Sequence, residues 1–87
     1  MKKITISVVF NQWGNGSINV IASTYPQWDP DQSSSQDYDL VPGDYSVTYL
    51  TSTKNGGSIT VTENGNKIGS ALLQPNDDGG NIDITVT

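Results

Sequence analysis

Along most of this chain apolar and polar residues alternate with a period of two, and no window repeats apolar residues at helical spacing. Residues 3–10 put Ile4, Ile6, Val8 and Phe10 on one face against Thr5 and Ser7, and residues 17–23 offer Ile18, Val20 and Ala22. Between them lies Asn11-Gln12-Trp13-Gly14-Asn15-Gly16, whose Asn-Gly ending predicts the positive φ angles of a tight connection. Residues 24–36 read as the longest loop, polar and marked by Pro26, Pro30 and the serine run Ser33, Ser34, Ser35. A short strand follows at 36–40, with Tyr38 and Leu40 alternating against Asp37 and Asp39.

Val41-Pro42-Gly43-Asp44 reads as a turn, with proline fixing φ and glycine taking the left-handed position. The strand at 44–51 then carries Tyr45, Val47 and Tyr49 on one face. Turns at Asn55-Gly56-Gly57 and Asn64-Gly65 predict a three-stranded meander that continues through 58–62, with Ile59 and Val61 inward, and 66–73. Gly69 marks a bulge or a close backbone approach in its third strand. Residues 74–80 read as a loop, and 81–87 closes the chain with Ile82, Ile84 and Val86 alternating against Asp83 and Thr85. About seven short strands with turn signals every ~8–12 positions predict an all-β, single-domain fold over 1–87, an antiparallel two-sheet β-sandwich with a small β-barrel as the alternative.

Composition narrows the chemistry. The 87 residues include nine acidic side chains and four lysines, with no arginine, histidine or cysteine, for a net charge of −5. Without cysteine and histidine the usual zinc site, the Ser-His-Asp triad and the Cys-His pair cannot be built. The acidic balance disfavours nucleic acid and anionic lipid, since phosphate is held by Lys and Arg. The opening Met1-Lys2-Lys3 and the apolar residues after it superficially resemble a signal peptide. The run is too short and too strictly alternating, however, so a first strand and no membrane insertion are expected.

The segment Leu40-Val41-Pro42-Gly43-Asp44-Tyr45-Ser46-Val47 resembles the L-x-PG-x-Y-x-V pattern of bacterial extracellular β-sandwich modules of immunoglobulin-like or prealbumin-like fold. Through Gly57-Ser58-Ile59-Thr60-Val61 and Glu63-Asn64-Gly65-Asn66 the chain also looks like the central hairpins of secreted jelly-roll carbohydrate-binding modules. The likeness covers residues 40–73 and implies architecture and an extracellular or cell-surface setting. The binding residues of those modules have no matching positions here.

Candidate chemistry falls in the predicted loops. Trp13, Tyr25, Trp28 and Tyr38 could offer flat apolar platforms to the C–H faces of sugars, with Asn11, Gln12, Asn15, Gln27, Asp29 and Asp31 beside them for the hydroxyls. The competing expectation is that each tryptophan folds back to plug the sandwich. Asp29, Asp31 and Asp37 form a candidate Ca2+ site, although the run lacks the glycine and closing glutamate of an EF-hand. Asn76-Asp77-Asp78-Gly79-Gly80-Asn81 reads as turn chemistry. No residue pattern supports catalysis. Two functions remain: a non-catalytic binding module, foremost for carbohydrate, and a structural β-module (adhesin, surface or virion subunit) that binds a protein surface or itself through an edge strand or face.

Overall fold

In a computed structural model, which describes residues 1–87, this alternation becomes seven strands and no helix: β1 (Lys2–Phe10), β2 (Gly14–Ile21), β3 (Ser34–Leu40), β4 (Gly43–Thr53), β5 (Gly57–Glu63), β6 (Asn66–Leu73) and β7 (Asn76–Val86). They build a β-sandwich of two antiparallel sheets, one ordered β3-β1-β5-β6 and the other β2-β4-β7. The inward stripe of the first sheet is Ile4, Ile6, Val8 and Phe10 of β1 flanked by Tyr38, Ile59 and Val61. Against it lie Ile18, Val20, Val47, Ile82, Ile84 and Val86 of the second. Most are β-branched, a shape that is stiff at χ1 and fills a pleated surface well. Cross-strand neighbours such as Ile6 with Val61, Val8 with Ile59, and Val47 with both Val20 and Ile82 knit each stripe together.

Only β5 and β6 are joined as a hairpin. Asn64 (φ 49°) and Gly65 (φ 87°) are both left-handed, as a two-residue turn matched to strand twist requires. Every other connection steps from one sheet to the other. The predicted meander is therefore corrected: β4 belongs to the opposite sheet from β5 and β6, and Asn55-Gly56-Gly57 leads a crossing, not a hairpin. Four local expectations change with it. Asn15 and Gly16 lie inside β2, the corner being made one step earlier at Gln12 (φ 76°). Ala22 lies beyond the end of β2 with φ 78° and is exposed, so it does not extend the inward stripe. Gly43 opens β4 at φ 154°, more extended than the left-handed position predicted for it. Residues 76–80 are strand, because β4 is 11 residues long and β7 pairs with its full length.

The Pro42-Gly43 turn admits β4 as its sequence suggests, with the buried Tyr45 donating its hydroxyl to the Val41 carbonyl at 2.7 Å. At Gly69 both predicted features coincide. The β5–β6 register shifts between Val61 and Thr62, leaving Ile68 as the extra residue. A Cβ on Gly69 would stand 2.7 Å from Ile82 Cγ2 and 3.0 Å from Ile84 Cγ2 of the facing sheet. The free edge of β2 is covered by the chain doubling back, with Trp28 exchanging backbone hydrogen bonds with Ile18 and Gly16 donating to the Pro30 carbonyl at 3.0 Å. The C-terminus is tied down by Glu63, whose carboxylate accepts from both the backbone and the hydroxyl of Thr87 at 2.8 Å.

Two outcomes test this packing. Gly69→Val should destabilise the domain by about 2 kcal/mol, the cost typical of overpacking a closed core, read as a lower urea midpoint at unchanged slope. The hydrogen bonds from Thr87 hold the Glu63 carboxyl below its ordinary value of 4.5. The stability they contribute is thus fully present above that pH and lost as pH falls through the lowered native value. Thermal unfolding from pH 7 to pH 3 should accordingly show wild type more stable than Glu63→Gln at neutral pH, the gap closing on acidification. A gap independent of pH would refute the link.

Candidate functional site

The sandwich has two ends, and the loop aromatics are divided between them. At the first end the β1–β2 corner carries Trp13, 54% exposed. This corner is locked to the β4–β5 crossing. Asn11 N donates to Gly56 O at 2.9 Å, Lys54 N to Trp13 O at 3.2 Å, Asn11 Nδ2 to Asn55 O at 3.2 Å, and Asn55 Nδ2 to Gln12 Oε1. The indole does not plug the core because Phe10 already does. Phe10 is 6% exposed, and a Cβ at Gly14 would stand 2.7 Å from its ring. The result is an exposed apolar ring on a rigid corner that also carries the amides of Asn11, Gln12 and Asn55.

Trp28 is different. Its bridge with the inward-facing Ile18 places it on the core side, where it packs half-buried against the hydrophobic cluster and closes the open flank between β2 and β3. The expected loop 24–36 is therefore no free loop: its Trp28–Pro30 part straps the β2 edge, and Ser34, Ser35 and Gln36 already belong to β3, paired with β1. Tyr25 and Tyr38 sit at the far end, ring centroids 4.9 Å apart at 80°, an edge-to-face pair. Tyr25 accepts from the Asp39 backbone N–H at 2.9 Å and so caps the β3 edge. Tyr38 is buried at 2% exposure, its hydroxyl has no partner, and burial followed by the nearby Tyr25 raises its phenol above the ordinary range.

The expected set Trp13, Tyr25, Trp28, Asp29, Asp31 and Tyr38 is thus not one surface. The eight residues of β2, about 26 Å of extended chain, separate Trp13 from Tyr25. The expected calcium set is corrected too, for no three carboxylates gather in the geometry of a metal site. Asp29 accepts from Gln27 Nε2 at 2.7 Å, and Asp37, on another sheet, accepts from Thr5 Oγ1 at 2.8 Å and lies 3.5 Å from Lys3 Nζ. In β7 the successive residues Asp77 and Asp78 face opposite ways, and Asp78 is occupied by the backbone N–H groups of Gln74 and Gly79, both at 2.8 Å.

One feature lay outside the sequence expectations. The outer face of β2-β4-β7 is hollowed by three adjoining depressions, of about 620, 360 and 500 Å³ from the Trp13 end downward. The register sets its side chains in rows: Asn15-Ser52-Asp77, then Ser17-Leu50-Gly79, then Asn19-Thr48-Asn81, then Ile21-Ser46-Asp83. Gln27 lengthens the third row, accepting from Asn19 Nδ2 at 3.2 Å. Leu50, 70% exposed, lies across Gly79, where a Cβ would stand 2.7 Å from its Cδ2. None of these three strands contains a lysine. Alternation against Ile18 and Val20 marked Ser17 and Asn19 as outward, whereas Asn15 read as part of the turn; the pairing that aligns Asn19 with Thr48 and Asn81 was not legible.

The orphaned hydroxyl gives a test. Tyr38→Phe removes a buried polar group that returns no hydrogen bond, a group that costs ~1–3 kcal/mol to leave unpaired, so the variant should be as stable as wild type or up to ~1–2 kcal/mol more so by urea denaturation. A loss above 1 kcal/mol would show that the hydroxyl does have a partner. In comparisons with known proteins, no family model, curated protein or solved structure matches this chain.

Proposed function

We propose that this domain is a non-catalytic binding module for carbohydrate, with Trp13 as its primary contact, working at a cell surface or in the extracellular space. The observation that carries the reading is an exposed indole on a corner held by four hydrogen bonds, since a large apolar ring facing water on a rigid support has no packing role. Stacking of a sugar C–H face on the ring buries apolar area without ordering a flexible loop, and the neighbouring amides can exchange hydrogen bonds with hydroxyls. Trp28, Tyr25 and Tyr38 serve this reading as scaffold. Asp29 and Asp31, on the strap, are left without a ligand role.

A second reading is a structural or assembly module. It is favoured by the outer face of the β3-β1-β5-β6 sheet, where Val9 and Leu72 remain 49% and 78% exposed on either side of Ser58, while Ser7, Thr60 and Ser70 form a row of hydroxyls. Tryptophan fluorescence separates the two. Under the binding reading, soluble polysaccharide shifts the emission of wild type, and Trp13→Ala, which retains Trp28, weakens binding by about thirtyfold, a truncation cost of ~2 kcal/mol. An unchanged spectrum together with concentration-dependent sedimentation would instead favour assembly.

A further inference from the structure

We infer that the glycan is bound as an extended neutral chain lying along the outer face of β2-β4-β7, from Trp13 to the Asn19-Thr48-Asn81 row, and not as a single sugar on the indole. This deepens the carbohydrate reading and rests on it. Continuity is the first argument. Trp13 stands two residues before Asn15 and continues the β2–β4 ladder by accepting from Lys54 N at 3.2 Å, and the first depression begins at Asn15, the first of the outward series Asn15, Ser17 and Asn19. From Trp13 to Asn19 the chain advances six residues at ~3.4 Å each, about 20 Å, room for several linked rings.

The lining supplies the second argument. Gln27, Asn19, Thr48 and Asn81 stand abreast across the sheet, and the chain of bonds from Asn19 to Gln27 to Asp29 holds the first two amides in orientation before any ligand arrives. Uncharged amides and hydroxyls at sheet spacing suit a ligand that is itself a ladder of hydroxyls. Leu50, laid flat over Gly79, offers an apolar contact for a ring face in the row between Trp13 and the amides. Charge fixes the remaining choice. The three strands have no lysine, Lys54 standing just beyond β4 beside Trp13, and Asp44, Asp77 and Asp83 lie along the margins, so past the Trp13 end a sulfated or uronic chain would be repelled and a neutral one accepted.

The probes are cellohexaose, xylohexaose and mannohexaose, with cellobiose, xylobiose and mannobiose as their short counterparts, titrated by calorimetry and by amide NMR shifts. At least one hexamer should bind about tenfold more tightly than its dimer, the equivalent of ~1.4 kcal/mol and within reach of two or three net hydrogen bonds. Its shifts should extend to residues 17, 19, 48 and 81. Asn19→Ala/Asn81→Ala, whose exposed substitutions leave folding intact by circular dichroism, should lose that length-dependent gain and keep the dimer affinity, whereas Trp13→Ala weakens both. Trp13-dependent binding with no gain for hexamers, and shifts confined to 11–13 and 54–56, overturns the extended chain and leaves the module reading standing. No binding of any of the six sugars overturns both.

Discussion

The interaction on which the rest depends is the burial of two facing stripes of β-branched side chains, one centred on Ile4, Ile6 and Val8 and the other on Val20, Val47 and Ile82. With a single local hairpin among the connections, neither sheet is assembled by turns. Each strand reaches its sheet partners only after crossing the core, so the two layers condition each other. Register follows from the same burial. A slip of one residue in β4 would turn Tyr45, Val47 and Thr51 outward and bring Asp44 and Ser46 into the core.

That burial also decides which large side chains are free. A small sandwich has open ends and flanks, and here each is closed by a residue whose backbone position leaves it no other place. Phe10 closes the end beside Gly14, Trp28 the flank between β2 and β3, and Tyr45 and the Tyr25–Tyr38 pair the far end. Trp13 remains exposed because the openings near it are already filled. Its exposure and the rigidity of its corner have one origin, the zipping of the β1–β2 connection onto the β4–β5 crossing.

The two outer faces differ as well. The β3-β1-β5-β6 face carries Lys3 and Lys67 with hydroxyls and two apolar residues, whereas the strands β2, β4 and β7 present amides, hydroxyls and carboxylates, with Lys54 just past the end of β4. The first is of mixed charge and the second neutral to acidic, so the two faces present different electrostatic surfaces.

Sequence by itself determined the strand class, the number of strands, the inward residues of β1, β4, β5 and β7, the Asn64-Gly65 hairpin and the special place of Gly69. Those are set by alternation and by backbone chemistry within a few residues, and both are written locally. It also placed Trp13 in a connection off the alternating inward face, but left open whether the ring faces water or folds back to plug the sandwich. Tertiary structure alone decided which strands are neighbours, since crossings and hairpins use the same Asn-Gly vocabulary, as Asn55-Gly56 and Asn64-Gly65 illustrate. It drew residues 76–80 into β7 because β4 is long enough to pair with them, overriding their turn composition. It separated the aromatics to opposite ends and aligned Asn19, Thr48 and Asn81, three residues far apart in the chain, because cross-strand rows exist only once register is fixed by the core.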